Sequence, residues 1–169
     1  MKTVQLVFKY SKEEYVKAAR QYLLAGNVIK MRDVMILMIL ILAAVFYLFF
    51  SSFSLLSIVA LIVLLLVGMV GLIIYFYLPV VTYKRTLKFH EEYRLTFSDQ
   101  GIRFKTPRID TDLSWESYIN LWESTDFYFL VQAPKRYSIL PKRAFADVYE
   151  QDAFEKMALL NMQCDKRLL

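Results

Sequence analysis

The chain has 169 residues, enough for one modest domain or two small units, and its formal net charge is +5. Hydrophobic residues make up 57% of the sequence, more than the roughly 45–50% of a soluble globular domain. The single cysteine, Cys164, excludes a disulfide within the chain.

The first segment, residues 1–30, predicts a strand followed by an amphipathic helix. Apolar residues alternate with more polar neighbours, as in a half-buried strand, at Val4, Leu6, Phe8 and Tyr10. A capping box then places Ser11 at the start of a helix and Glu14 three residues later. The helix runs to about Leu24, and its apolar face comprises Tyr15, Ala18, Ala19 and Tyr22. We expect this face to pack inside the protein; the alternative is a helix that lies on a membrane surface.

A long uncharged segment follows, and we assign residues 31–85 to a transmembrane helical hairpin. Residues 34–83 contain no Asp, Glu, Lys, Arg or His. As one helix this segment would be about 75 Å long, more than twice the ~30 Å hydrocarbon thickness of a bilayer. Two spans, at about residues 33–50 and 56–81, fit better, and a re-entrant pair of half-helices is the alternative. The turn, residues 51–55, lies at the only polar break, formed by Ser51, Ser52, Ser54 and Ser57.

Basic residues predict which side of the membrane each end of the hairpin occupies. Lys30 and Arg32 precede the first span, and Lys84, Arg85 and Lys88 follow the second, whereas the serine turn has no basic residue. Because lysine and arginine accumulate on the cytoplasmic side, we expect both termini in the cytoplasm and the turn outside. The positive net charge then comes mostly from the basic residues that flank the two spans and form a collar facing anionic lipid. It does not indicate a nucleic-acid partner.

The uncharged segment favours helix packing over transport. It has no acidic or basic side chain, which argues against a pump or a coupled transporter. Gly68 and Gly71 lie near the middle of the second span, and we expect them to approach the first span around Ala43 and Ala44. Homo-oligomerisation through the spans is left open.

The region after the hairpin, residues 86–169, predicts short strands followed by one helix. The stretch YRLTFSDQGIRFKT is typical of a β-hairpin whose turn ends at Gly101, and strand signals then recur every ~8–12 residues up to Pro141. Asp147 and Glu150 resemble a capping pair for the last helix. We expect its apolar stripe to close the open end of the sheet, with the residues Tyr149, Ala153, Met157, Leu160 and Cys164.

Two tryptophans lie in this region, seven positions apart. In one continuous strand, Trp115 and Trp122 would occupy opposite faces, so one is expected in the core and the other exposed. A bend near Glu116 and Ser117 would reset that alternation.

These elements together predict a membrane α+β protein. Six or seven strands and a C-terminal helix are the inventory of a small pleckstrin-homology-like β-barrel or sandwich. Because a lone strand is not stable by itself, we expect the N-terminal strand, residues 1–10, to join that sheet.

Several motifs resemble the YcxB-like family of small bacterial membrane proteins. They are VFKYSKEEY, YRLTFSDQGI, LSWESYINLWES, DFYFL and ILPKRAF, and together with the hydrophobic pair they follow the family's order. The resemblance implies two transmembrane helices in the bacterial cytoplasmic membrane and a C-terminal domain similar to pleckstrin-homology-like modules. None of these motifs is a catalytic signature.

The sequence predicts no enzyme activity, cofactor or metal site. His90 is the only histidine, and no second His or Cys lies at metal-ligand spacing from it. Asp110 and Asp112 are interpreted as part of a solvated loop, since two acidic residues alone do not make a metal site.

The candidate contacts with lipid headgroups or a protein partner are basic: Lys84, Arg85, Lys88, Lys135, Arg136, Lys142 and Arg143. Clustered lysine and arginine side chains bind phosphate groups well. For residues 135–143 the alternative is a solvated surface.

The sequence favours a multi-pass membrane protein that presents a non-enzymatic binding or scaffold domain to a protein partner or to anionic lipid headgroups. The alternative function is immunity against a pore-forming toxin or bacteriocin. The immunity function would reside in the spans and the serine turn. Replacing the spans with an unrelated hairpin would therefore abolish immunity and leave the binding or scaffold function intact.

Overall fold

The computed structural model describes residues 3–26, 29–50, 55–133, 136–162, 164 and 166–169. The chain divides into two compact units. A β unit comprises Met1–Glu14 and Thr86–Leu169, and a helical unit comprises Tyr15–Arg85. The predicted serine turn lies outside the described residues except for its last position, Leu55, which is helical.

The first sheet of the β unit joins the N-terminal strand to the region after the hairpin, as predicted. Its strands are β1 (Val4–Phe8), β2 (Tyr93–Ser98), β3 (Gly101–Lys105) and β4 (Asp110–Leu113), antiparallel in that order. Leu6 lies opposite Leu95 in the β1–β2 register. Asp110 and Asp112 therefore belong to an edge strand, and the predicted loop was wrong.

The second sheet has the order β7-β6-β5-β8. Three antiparallel strands, β5 (Asn120–Glu123), β6 (Phe127–Ala133) and β7 (Arg136–Pro141), are joined by β8 (Lys166–Leu168). The last strand pairs in parallel with β5. The sequence did not predict β8, because a three-residue strand with two basic residues has no apolar alternation.

The C-terminal helix, α5 (Val148–Met162), packs through a different face from the predicted one. Its buried residues are Phe154, Met157, Ala158 and Met162. Tyr149 is 84% exposed and Leu160 is 78% exposed, and Cys164 lies beyond the end of the helix. Phe154 inserts between aromatic rings of the β unit, with centroids 4.8 Å from Phe97 and 5.5 Å from Tyr128. Of the predicted stripe, only Met157 is buried.

Short helical turns and caps follow the sequence signals closely. Ser11 Oγ accepts a hydrogen bond from the Glu14 N–H at 3.1 Å, and Glu14 Oε2 accepts one from the Ser11 N–H at 3.0 Å. These bonds form the predicted capping box. Asp147 likewise accepts from the Glu150 N–H at 2.7 Å. The expectation of one exposed tryptophan was wrong, because Trp115 and Trp122 are both buried. A 3₁₀ turn at Trp115–Ser117 is the bend that was considered as the alternative.

The helical unit consists of an amphipathic helix and two long apolar helices. Helix α1 (Lys12–Ala25) buries the predicted tyrosine and alanine face. Helix α2 (Met31–Phe50) and the continuous helical segment Leu55–Arg85 are both long and apolar enough to cross a membrane. The second segment comprises α3 (Leu55–Leu72), a π-helical turn (Ile73–Tyr77) and α4 (Leu78–Arg85).

We expect Leu6→Ala to destabilise the β unit by about 3 kcal/mol, because Leu6 is fully buried and its loss leaves a cavity between β1 and the core. Gln5→Ala, on the exposed face of the same strand, should change the free energy of unfolding by less than about 0.5 kcal/mol. Urea unfolding of the full chain in detergent, followed by tryptophan fluorescence, measures both. Equal midpoints for the two variants would show that β1 does not contribute to the core.

Candidate functional site at a proline in the long helix

The π-helical turn in the long helix has a cause in the sequence. In an α-helix the carbonyl of Tyr75 would accept a hydrogen bond from the N–H of residue 79, but residue 79 is proline and has no N–H. The proline ring also crowds that carbonyl. The helix responds with wider i→i+5 bonding, in which the Leu78 N–H donates to the carbonyl of Ile73.

Arg20 of α1 contacts the carbonyl that Pro79 leaves without its α-helical donor. Its Nε donates to the Tyr75 carbonyl oxygen at 3.4 Å, a long hydrogen bond. The guanidinium carbon lies 5.4 Å from the centroid of the Tyr75 ring and 5.1 Å from that of Phe76. The two rings attract the cation, so the guanidinium is positioned by three separate contacts.

Helix α1 reaches this turn because its buried face packs beside the end of the long helix. The rings of Tyr15 and Tyr83 lie 5.7 Å apart, and Pro79, one helical turn before Tyr83, is also buried. Burial raises the pKa of Tyr15 to about 12, so its hydroxyl stays protonated at neutral pH.

The pairing of the two long helices determines which residue of α2 lies beside the π turn. Only four residues separate α2 from α3, so the helices are antiparallel. A Cβ at Gly68 would lie 3.6 Å from Leu37 Cδ2. The number of residues from Leu37 to the end of α2 equals the number from the start of α3 to Gly68. Residues at equal distances from the turn therefore face each other, as in a symmetric hairpin. The same register places Met31, the first residue of α2, level with the π turn.

Charge is divided unequally between the two units. The helical unit contains six lysines and arginines and one acidic residue, Asp33, so its formal charge equals the +5 of the whole chain. The β unit therefore has no formal net charge. Asp33 lies 3.6 Å from Arg32, and the described residues place no carboxylate in an ion pair with Arg20.

Chemically, this arrangement can bind an anion. Arg20 Nε is occupied by the Tyr75 carbonyl, whereas the Nη groups keep the paired N–H donors that fit two oxygens of a phosphate or carboxylate. Among the described residues, no three His, Cys, Asp or Glu side chains cluster in a way that could hold a metal ion.

The predicted basic residues at the end of the hairpin are exposed. Lys84 and Arg85 form the last turn of α4. Lys88 lies in a 3₁₀ turn, with its Nζ 5.3 Å from the ring centroid of Phe89. Arg136 begins β7 and is exposed, while Lys135 lies outside the described residues. The predicted roles of these residues stay predictions.

Lys142 takes part in an ion-pair cluster inside the β unit. Its Nζ lies 2.5 Å from Glu123 Oε1 and 4.9 Å from the ring centroid of Tyr128. Lys166 Nζ lies 3.0 Å from the other oxygen of Glu123 and 2.6 Å from Glu155. The cluster links β5, β8 and α5, so a headgroup would have to compete with these carboxylates for Lys142.

Arg143 is also engaged within the β unit. Its Nε and Nη2 contact the carboxylate of Glu14, with Nη2 to Oε2 at 2.7 Å, and Nη2 also donates to the Lys9 carbonyl at 3.0 Å. The hydrogen bonds from Arg143 hold the pKa of Glu14 below its ordinary value. Arg143 thereby fastens the start of α1 to the turn after β7.

The glycines of the hairpin pack differently from the prediction. Gly68 does face the first long helix, but its neighbour is Leu37 instead of Ala43 or Ala44. For Gly71, no atom of the described residues comes within 4 Å of a Cβ placed there. The antiparallel register explains the error, because Ala43 and Ala44 lie closer to the turn than Gly68 does.

Sequence reasoning missed Arg20 and Pro79. Proline within an apolar run is a signal for a break in the helix, and Pro79 could have been identified in that way. The contact with Arg20 could not, because it joins residues 55 positions apart and depends on how α1 packs.

Comparison with known proteins identifies a family for one part of the chain. Residues 97–158 match the family model described as YcxB-like protein. The chain therefore carries a YcxB-like domain, which confirms the resemblance indicated by the motifs. The matched residues run from the end of β2 into α5. No curated protein and no solved structure matches the chain.

A double-mutant cycle tests the link between Arg20 and Pro79. Arg20→Gln should destabilise the helical unit by about 1 kcal/mol, because the Tyr75 carbonyl loses its hydrogen bond from Arg20. In a Pro79→Ala background the helix regains an N–H at position 79, so the same substitution should cost about half as much or less. Thermal unfolding in detergent, followed by circular dichroism, gives the four stabilities.

Arg32→Gln removes the same charge from the same unit and serves as the control. Its cost should be the same with and without the Pro79→Ala substitution. Additive effects of Arg20→Gln and Pro79→Ala would mean that Arg20 does not compensate for the proline.

The ion-pair cluster predicts a response to acid. Burial opposes ionisation of Glu123, but hydrogen bonds from Lys142 and Lys166 outweigh it and hold the pKa of Glu123 below its ordinary value of 4.5. The cluster therefore stabilises β8 above that pH and loses this effect as the pH falls through the lowered pKa. Because Arg167 lies 5.1 Å from the Trp122 ring, release of β8 should change tryptophan fluorescence below about pH 4.5.

Glu123→Gln should abolish this acid transition and give an altered signal already at pH 7. The control, Glu116→Gln, changes an exposed residue of the same unit and should keep the transition. An unchanged transition in Glu123→Gln would assign it to other carboxylates.

Proposed function

We propose that the two long helices span the bacterial cytoplasmic membrane and that the β unit is a non-enzymatic binding or scaffold module on the cytoplasmic side. The observation that carries this proposal is the exposure of the hairpin. No residue of α2 is buried, and the only buried residue of α3 is Ser57. Apolar surface of this extent requires a cover of lipid or protein, and both helices are long enough to cross a bilayer.

The lengths of the helices fit this proposal. The 20 residues of α2 correspond to about 30 Å, the thickness of a bilayer core. Residues 55–74 of the second helix match them in the antiparallel register. The helix then continues to Arg85, so the part beyond the π turn extends into the headgroup region and the cytoplasm.

The orientation rests on two arguments. The basic residues of the helical unit lie at the chain ends of the hairpin, which favours a cytoplasmic position for both ends. In addition, β1 precedes the hairpin, β2 follows it, and the two strands pair. Strands that pair must lie on the same side of a membrane, which supports an even number of crossings.

A protein partner suits the β unit better than lipid headgroups. The unit has no net charge, and Lys142 and Arg143 are engaged by Glu123 and Glu14. Electrostatic attraction to an anionic membrane is therefore weak. Two four-stranded sheets with a C-terminal helix are compatible with a pleckstrin-homology-like module.

Cysteine accessibility in intact cells tests the topology. In a Cys164→Ser background, single cysteines replace Ser54, Lys12 and Lys156, and a membrane-impermeant maleimide is added outside. Lys156 is exposed on α5, so its replacement leaves the ion-pair cluster intact. We expect labelling at position 54 alone, with positions 12 and 156 reacting only after lysis.

Labelling at position 156 in intact cells would place the β unit outside and overturn the proposal. Release of the protein from membranes by alkaline carbonate would show that the helices do not span the bilayer.

A further inference from the structure

We propose that Arg20, held at the π turn, binds the phosphate of an anionic phospholipid in the inner leaflet. The ligand class is a phosphodiester headgroup with a net negative charge, such as phosphatidylglycerol. This inference rests on the proposed membrane insertion of the hairpin and adds a specific lipid site to it.

The first argument is the geometry of the guanidinium. The bond to the Tyr75 carbonyl and the contacts with the rings of Tyr75 and Phe76 restrict its position. The Nη groups carry the donors that remain, and a guanidinium fork matches two oxygens of a phosphate. The helical unit supplies no counterion for Arg20, since Asp33, its one acidic residue, lies beside Arg32.

The second argument is depth. Met31 begins α2 at the level of the π turn, so the guanidinium lies where the apolar length of α2 ends. Phosphate groups occupy this level in a bilayer. The sequence YFY at residues 75–77 places three aromatic side chains there, and tyrosine is enriched at this interface.

The third argument concerns the charge of the lipid. The other cations of the helical unit are Lys17, Lys30, Arg32, Lys84 and Arg85. A zwitterionic headgroup would bring its own ammonium into this positive environment. An anionic headgroup brings none, so its phosphodiester is favoured over that of phosphatidylcholine.

Native mass spectrometry of the full chain in detergent, titrated with phosphatidylglycerol or phosphatidylcholine, measures the binding. We expect the wild type to retain phosphatidylglycerol preferentially and Arg20→Gln to bind it about tenfold more weakly, as for the loss of a charge-assisted pair of hydrogen bonds. Arg20→Lys keeps the charge without the planar fork and should fall between the two. Lys30→Gln removes the same charge from an exposed position and should change the affinity by about twofold or less.

A second variant separates lipid binding from damage to the helix. In Arg20→Gln/Pro79→Ala the Tyr75 carbonyl regains a donor, so the helix no longer depends on Arg20. We expect this double variant to lose phosphatidylglycerol binding as fully as Arg20→Gln does. Recovery of binding in the double variant would overturn the proposal, because Arg20 would then act only on the helix.

Three further results would also contradict the site. Equal losses in Arg20→Gln and Lys30→Gln would indicate a diffuse basic collar. Displacement of the lipid by millimolar inorganic phosphate would assign the site to a soluble anion. Wild-type affinity for phosphatidylglycerol in Arg20→Gln would show that Arg20 is not part of the lipid site.

Flotation with phosphatidylcholine–phosphatidylglycerol vesicles keeps the two proposals distinct. Protein that floats with vesicles but shows no dependence on Arg20 refutes the lipid site and leaves the membrane hairpin in place. Protein that does not float at all refutes both.

Discussion

The pairing of β1 with β2 is the constraint on which the rest of the structure depends. The two strands are neighbours in a sheet, although the whole helical unit separates them along the chain. The hairpin is therefore an insertion in a β unit, and both of its ends return to one sheet. Such an insertion adds little to the entropy cost of closing the β unit, because that cost grows only with the logarithm of loop length. In the proposed membrane topology, the pairing of these two strands requires an even number of crossings.

Local signals in the sequence predicted the local structure well. Capping boxes, the bend at Trp115 and the alternation in β1 depend on neighbouring residues, and all of them are observed. The errors concern partners that are distant in sequence. The predicted buried face of α5 was wrong because the helix packs through Phe154, which contacts Phe97. Several positions of this helix carry apolar side chains, so the sequence pattern did not single out one face. The ion pairs of Lys142 and Arg143 were missed for the same reason, since each joins elements that only the fold brings together.

The helical unit combines a local defect with a distant compensation. Pro79 removes one hydrogen-bond donor from an otherwise apolar helix, and Arg20 contacts the carbonyl that is left. An unsatisfied carbonyl is costly where water is scarce, and the hydrogen bond from Arg20 reduces that cost at the π turn. The position of the π turn thus follows from the proline, and the packing of α1 brings Arg20 to it.

The insertion of the hairpin also determines the order of events during synthesis. Strand β1 leaves the ribosome first, but its partner β2 begins only at Tyr93. At ~5–20 residues per second, β1 waits for several seconds or more with its edge unpaired. During that time the apolar helices emerge and require their own cover. The hydrogen bonds of the capping box join Ser11 and Glu14 alone, so this start of α1 needs no partner from the later sheet.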